Sequence, residues 1–288
     1  MIRFETIADL VQLATEEASP ISEIVLRSEA ESSRQSRFAV MATMGENWRV
    51  MKESIERGVE NRECSLSGLT GGDAVKLFAR RDKGYLGAAA LAAAAYAVGV
   101  SEVNAAMGRI VACPTAGSCG IVPAALYTAM KQGKSEEAII QSLFTAAGIG
   151  MVIEANASIA GATGGCQAEC GSAAGMAAAA LTELGGGDPE MVSHAAALAI
   201  KNLLGLVCDP VAGLVEVPCV KRNGFAAVHA MLAADMALAG VRSVIPADEV
   251  IEAMERIGRA LPRTLKETAE GGLAMTTTAQ KITQKLYG

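Results

Sequence analysis

Through the first eighty residues, apolar positions recur at helical spacing, Ile7, Leu10, Val11 and Ala14 and then Ile21, Ile24 and Val25, with charges filling the faces between them. Such stripes belong to amphipathic helices that lay one face on the outside of a larger body, and Pro20 marks a helix start. Beyond Gly84 the pattern changes. Segments near 86–98, 121–132, 135–150, 172–184, 189–206 and 224–240 are rich in Ala, Gly, Leu and Met and nearly apolar all round. That is the signature of helices covered on every side, and alanine, with the highest helix propensity and a small side chain, lets such helices approach closely. Strand-like alternation is scarce, and Leu214–Pro218 is the one stretch that reads as extended. A further pair of helices, 247–260 and 273–286, is set off by Pro262 and Gly271-Gly272. The expected fold is mainly α: a compact bundle of buried Ala-rich helices with Gly/Pro loops. An N-terminal amphipathic helical segment, 1–80, precedes an all-helical unit, 81–288.

Composition narrows the function. The 288 residues are 51% hydrophobic, which allows a sizeable core. With net charge −6 and only 3% aromatic residues, the chain lacks the basic patches or stacking platforms of a nucleic-acid surface. The expected partner is a small molecule or another protein. Charges interrupt the N-terminal stretch where a signal peptide needs an apolar run, so the chain reads as cytoplasmic. Seven cysteines, an odd number without an export signal, fit thiols and thiolate ligands better than a disulfide framework. The apolar run Tyr85–Val100 falls short of a membrane span of about 20 residues and is followed directly by Ser101-Glu102, so a buried helix is expected there and no membrane.

Candidate chemistry gathers between the apolar helices. Cys166 lies in Gly161-Ala-Thr-Gly-Gly-Cys-Gln-Ala-Glu-Cys-Gly171, and Cys208 and Cys219 close the two ends of Cys-Asp-Pro-Val-Ala-Gly-Leu-Val-Glu-Val-Pro-Cys. Glycine and proline beside a cysteine take it out of regular structure, as a metal ligand requires and a buried filler does not. Asp209-Pro210 breaks the preceding helix, Gly213 permits a reversal, and Pro218 is expected to hold the chain extended before the second thiol. A separation of 11 positions is neither a zinc-finger nor a ferredoxin spacing. Buried reduced thiols remain the competing reading. Upstream, the loop before a helix at Ile121 carries Thr115, Ala116, Gly117 and Ser118, whose N–H groups and hydroxyls make a donor-rich pocket for a carboxylate or phosphate, or an ordinary turn. Asn156 and Ser158 lead toward Cys166, and the helix end at Gly171-Ser172 is expected to turn its positive pole to the site. Lys201 and Glu169 are candidate proton-transfer groups, with helix-end pairing and capping as their alternatives. His194 and His229 read as structural residues of Ala-rich helices.

Together, Pro114-Thr-Ala-Gly-Ser118, Asn156-Ala-Ser-Ile-Ala-Gly161, Gly165-Cys-Gln-Ala-Glu169, Gly171-Ser-Ala173, Cys208-Asp-Pro-Val-Ala-Gly213 and Val217-Pro-Cys219 resemble the iron–sulfur-dependent L-serine dehydratases. From about residue 65 onward the chain is similar to the separate alpha chain of the two-subunit form. The resemblance implies a 4Fe–4S cluster held by Cys166, Cys208 and Cys219, with the fourth iron open to L-serine. It implies a substrate pocket at Thr115, Ala116, Gly117, Ser118, Asn156 and Ser158. It also implies a beta chain that supplies a Ser/His-rich segment facing the cluster, and with it the missing base. Cys170, four positions beyond Cys166, is the competing ligand, Cys113 and Cys119 flank the carboxylate loop, and Cys64 is expected to be structural. Two enzyme or sensor classes compete: a pyridoxal-phosphate dehydratase, which needs a Schiff-base lysine absent from the central motifs, and a metal- or redox-sensing cysteine protein. A scaffold subunit whose glycines and cysteines only pack helices is the third alternative.

Overall fold

The computed structural model describes residues 2–62 and 64–288 as thirteen α-helices with no strand among the described residues. They are α1 (Ile7–Glu16), α2 (Ile21–Ser33), α3 (Arg37–Glu60), α4 (Asp73–Arg80), α5 (Gly87–Ala105), α6 (Ile121–Lys131), α7 (Glu136–Asn156), α8 (Gly161–Gly164), α9 (Ser172–Leu184), α10 (Pro189–Asn202), α11 (Cys219–Leu238), α12 (Ala247–Ala260) and α13 (Thr277–Tyr287). Local chemistry starts several of them. The side chains of Thr6, Ser36, Ser135, Asp188 and Thr276 each accept a hydrogen bond from the backbone N–H three residues on, satisfying one donor that the first helical turn leaves open.

Helix α9 is the axis. Every residue from Ser172 to Ala180 is buried, and the helix packs against α7, α10, α11 and α6. Only small side chains permit this enclosure: a Cβ on Gly175 would lie 2.8 Å from Ile200 Cγ1. Close approach recurs where α3 crosses α5, since a Cβ on Gly58 would lie 2.4 Å from the Gly99 carbonyl carbon. The stripes of α1 to α3 join the same core: Ile7, Leu10, Ile24, Trp48 and Ile55 have no exposed surface and share one apolar cluster with α9 and α10. Helices α5 and α7 are long and apolar enough to cross a membrane, but 61% of each apolar window is buried against other helices.

Four details differ from the expectations. Leu214–Pro218 is a turn: the Val211 N–H donates to Val217 O at 2.9 Å, and the Glu216 carboxylate draws the loop inward by accepting from the hydroxyls of Ser65 and Ser67. Pro218 consequently has φ −93° and ψ 3° rather than an extended backbone, and α11 begins at Cys219, five residues earlier than the periodicity predicts. α10 stops at Asn202, with Gly205 at φ +84° turning the chain toward Cys208. Finally, no free helix end lies at Gly171-Ser172. A π-helical turn, Gln167–Gly171, runs into α9, so the helical segment starts at Cys166.

Candidate functional site

The π-turn lies where the loop 112–120, α8, the 203–209 connection and the start of α11 converge. A turn of this kind widens the helix by one residue and is common at functional sites. It is pinned by the fully buried Gln167: its N–H donates to Leu206 O, its Nε2 donates to Met254 O and its Oε1 accepts from the Gly205 N–H, each at 2.9 Å. Cys166 and Cys170, one π-turn apart, bring their sulfurs to 3.4 Å.

Glu169 projects from this turn toward the 112–120 loop. The Thr115 hydroxyl donates to its Oε1 at 2.7 Å, and Ser118 Oγ lies 3.3 Å from Thr115 Oγ1. Glycine is required on both sides of Glu169: a Cβ on Gly117 would fall 2.7 Å from Oε1, and one on Gly161 would fall 2.8 Å from Oε2 and 3.1 Å from Cys208 Sγ. Thr115, Gly117, Glu169, Gly161 and Cys208 therefore line one cradle. Burial is the main influence on Glu169, raising its carboxyl above the ordinary value despite the Thr115 hydrogen bond.

The thiols sense one another. Burial pushes Cys219 up to about 12 and Cys208 higher still, with Cys166 and Glu169 adding to both and Cys219 adding to Cys208. Cys166 is held below its ordinary value, first by the Cys170 hydrogen bond and then by the nearby Arg222 guanidinium; Cys170 is pushed up by the same bond and by burial. Backbone bonds tie down Cys208, whose N–H donates to Leu265 O at 2.9 Å and whose carbonyl accepts from the Glu267 N–H at 2.8 Å. Asn223, buried one turn into α11, fastens the 112–120 loop: Oδ1 accepts from the Gly120 N–H at 2.9 Å, and Nδ2 donates to Gly117 O at 2.8 Å and to Cys219 O at 3.0 Å.

Other sequence candidates lie elsewhere. Asn156 is exposed at the end of α7, where its amide donates to Glu5 O and Val152 O. Ser158 stays closer, in the segment before α8, with its N–H bonded to Glu255 and its hydroxyl accepting from the Ala160 N–H. Lys201 donates to Ser243 Oγ. His229 bonds Ala199 O and Asn202, and His194 Nε2 is buried without a partner against a small cavity beside Asp188 and Arg242. Cys113 and Cys119 are buried behind the loop, and Cys64 is exposed.

A family model described as the serine dehydratase alpha chain matches residues 16–274. The chain belongs to this family. Among its relatives, the probable L-serine dehydratase alpha chain of Bacillus subtilis is 49% identical, with 99% of this chain aligned to 96% of that protein. The L-serine dehydratase alpha chain of Peptoniphilus asaccharolyticus is 42% identical, with 96% of each chain aligned. Against the L-serine dehydratase of Streptomyces coelicolor, identity is 41% over 94% of this chain, which covers only 61% of that longer protein. For a serine dehydratase alpha chain, the residues that the sequence reading passed over are Gln167, Arg222 and Asn223. A signal existed: Arg222 and Asn223 stand three and four positions after Cys219, polar residues on one face of an otherwise Ala-rich helix.

Proposed function

We propose that the chain is the alpha subunit of an iron–sulfur-dependent L-serine dehydratase, which converts L-serine to pyruvate and ammonium. The observation that carries this reading is the shared cradle, where the Glu169 carboxylate meets Thr115, Gly117, Gly161 and the Cys208 sulfur. It joins the carboxylate-binding loop to the cysteine segments in one buried space.

Cys166, Cys208 and Cys219 would hold a 4Fe–4S cluster, and the donor set fits one. Among the described residues, no three His, Cys, Asp or Glu side chains converge on a point that would hold a single metal ion. A four-iron cluster asks for something different, since each thiolate binds its own iron and the ligands stand around the group rather than at one centre. The electrostatic influence of Cys166 on both Cys208 and Cys219, and the glycine at 161 beside the Cys208 sulfur, support that reading. A lone zinc or sensor metal fits less well. A pyridoxal-phosphate enzyme also fits less well, because Lys201 and Lys221, which flank the cysteine segment, are committed to Ser243 and Asp73.

Loss of water from serine requires release of a weakly acidic α-proton and departure of hydroxide, whose conjugate acid has a pKa of about 15.7 in bulk water. When bound, the cluster supplies Lewis acidity for the departing hydroxyl group. The chain's own residues do the rest. Thr115 and Ser118, whose hydroxyls now bond Glu169 and backbone carbonyls, would turn them to the substrate carboxylate on binding, at a loop fastened by Asn223. Glu169, whose carboxyl burial raises above its ordinary value, faces Gly161 with its Oε2 edge and is the group assigned to pass a proton to the departing oxygen. The α-proton acceptor is assigned to the beta chain, because Lys201 bonds Ser243 and neither histidine borders the cradle. Pyruvate formation by the anaerobically reconstituted alpha chain, with and without beta chain, tests this reading. Activity only with both chains is expected; full activity of the alpha chain alone would remove the partner's base, and none with both would remove the proposed reaction.

A further inference from the structure

Three segments carry the proposed cluster thiols, and one side chain ties two of them, the start of α11 and the Cys208 segment, together. Arg222 stands on the first turn of α11, three residues after Cys219, so the two side chains leave the same face of the helix. Its Nη1 donates to Val207 O at 2.8 Å and its Nη2 donates to Asp209 Oδ1 at 2.9 Å, the residues on either side of Cys208. Asp209, almost fully buried, passes the clamp onward by accepting from the Leu273 N–H at 2.8 Å through its other oxygen.

Building on the functional reading above, we propose that Arg222 is the positioning residue of the cluster site. It fixes the register of the Cys208 segment against α11 and places one positive charge beside the thiolate set. Both tasks need the guanidinium. A planar fork with several donors spans Val207 O and Asp209 together, whereas the single ammonium of lysine delivers the charge without the span. Groups that orient metal ligands in this way typically alter metal retention by about 10- to 100-fold when removed.

The test compares the wild-type chain with Arg222→Lys and with the pair Arg222→Gln plus Asp209→Asn, which removes both charges and leaves no buried carboxylate unpaired. Each is reconstituted anaerobically with iron and sulfide, and its fold is checked by circular dichroism. The readouts are the rate of cluster loss to a chelator and the reduction potential of the bound cluster. Arg222→Lys should lose its cluster about 10-fold faster at a potential near that of the wild type, because the charge stays while the span is lost. The paired variant, which loses both the fork and its partner, should lose it about 100-fold faster. Wild-type loss rates in both folded variants would overturn the proposal, as would a displaced potential in Arg222→Lys with an unchanged loss rate. Failure of the wild-type chain itself to take up iron and sulfide would instead refute the functional reading, and the proposal with it.

Discussion

Replacing Glu169 by glutamine separates the shape of the cradle from its proton. Glutamine has the same outline, and its amide oxygen can still accept the 2.7 Å hydrogen bond from Thr115. The new NH2 group would face Gly161 and the Cys208 sulfur, where Oε2 now lies. A buried amide that keeps its main partner should change stability by no more than about 1 kcal/mol. What disappears is the ionisable carboxyl assigned to proton transfer. A positioned acid or base contributes roughly 10²- to 10⁴-fold to rate, or about 2.7 to 5.4 kcal/mol of barrier at 1.36 kcal/mol per factor of ten. Pyruvate release by the complete two-chain enzyme, measured anaerobically at saturating serine and normalised to iron content, should therefore fall by at least about 100-fold. Thermal unfolding should remain nearly unchanged. A Glu169→Gln enzyme with normal iron and kcat within about threefold of the wild type would show that the carboxyl carries no proton in the reaction.

Three further substitutions probe other parts of the account. Thr115→Val keeps the side-chain shape but removes the donor facing Glu169 and the substrate loop; KM for serine should rise with cluster absorbance unchanged, and loss of the cluster would make Thr115 structural. Gly58→Ala should cost about 1–3 kcal/mol of stability, because its Cβ would sit 2.4 Å from Gly99 backbone at the α3–α5 crossing; calorimetry should show a Tm several degrees lower, with iron uptake intact. Glu102 is buried against the first turn of α4, where it accepts from the Asp73 N–H at 2.8 Å, and burial raises its carboxyl above the ordinary 4.5. Its contribution is complete below the unfolded-chain value and is lost as pH climbs through the higher folded value. The Tm of the wild type relative to Glu102→Gln should accordingly decline as pH rises above about 4.5, and a pH-independent difference would contradict the assignment.

The helical architecture was legible because its cues are local. α9 occupies the span that its alanine run predicts, 172–184, between Gly171 and Gly185-Gly186, with the π-turn added before it. Pro246 and Pro262 delimit α12 in the same way, and it too occupies the predicted span. The errors cluster where tertiary contacts override local preference. Pro218 favours extended backbone by itself, but the hydrogen bonds of Glu216 to Ser65 and Ser67, some 150 residues away, fold the preceding segment into a turn. The π-turn at Gln167–Gly171 leaves no period to detect, since Gln167 stabilises it through groups on the 203–206 connection and α12. At the site, the three cysteines stood out through their glycine and proline neighbours. The contact of Thr115 with Glu169 joins residues 54 positions apart, and only the folded chain brings them together.

Iron and acid-labile sulfide analysis of anaerobically reconstituted single-cysteine variants bears most directly on the cluster site. The wild type should bind about four irons and four sulfides per chain. Cys166→Ala, Cys208→Ala and Cys219→Ala should each lose most of them, while Cys170→Ala, which removes the thiol 3.4 Å from Cys166, should keep them. Full iron content in any of the first three variants, or its loss from Cys170→Ala alone, would contradict the assignment of the ligands.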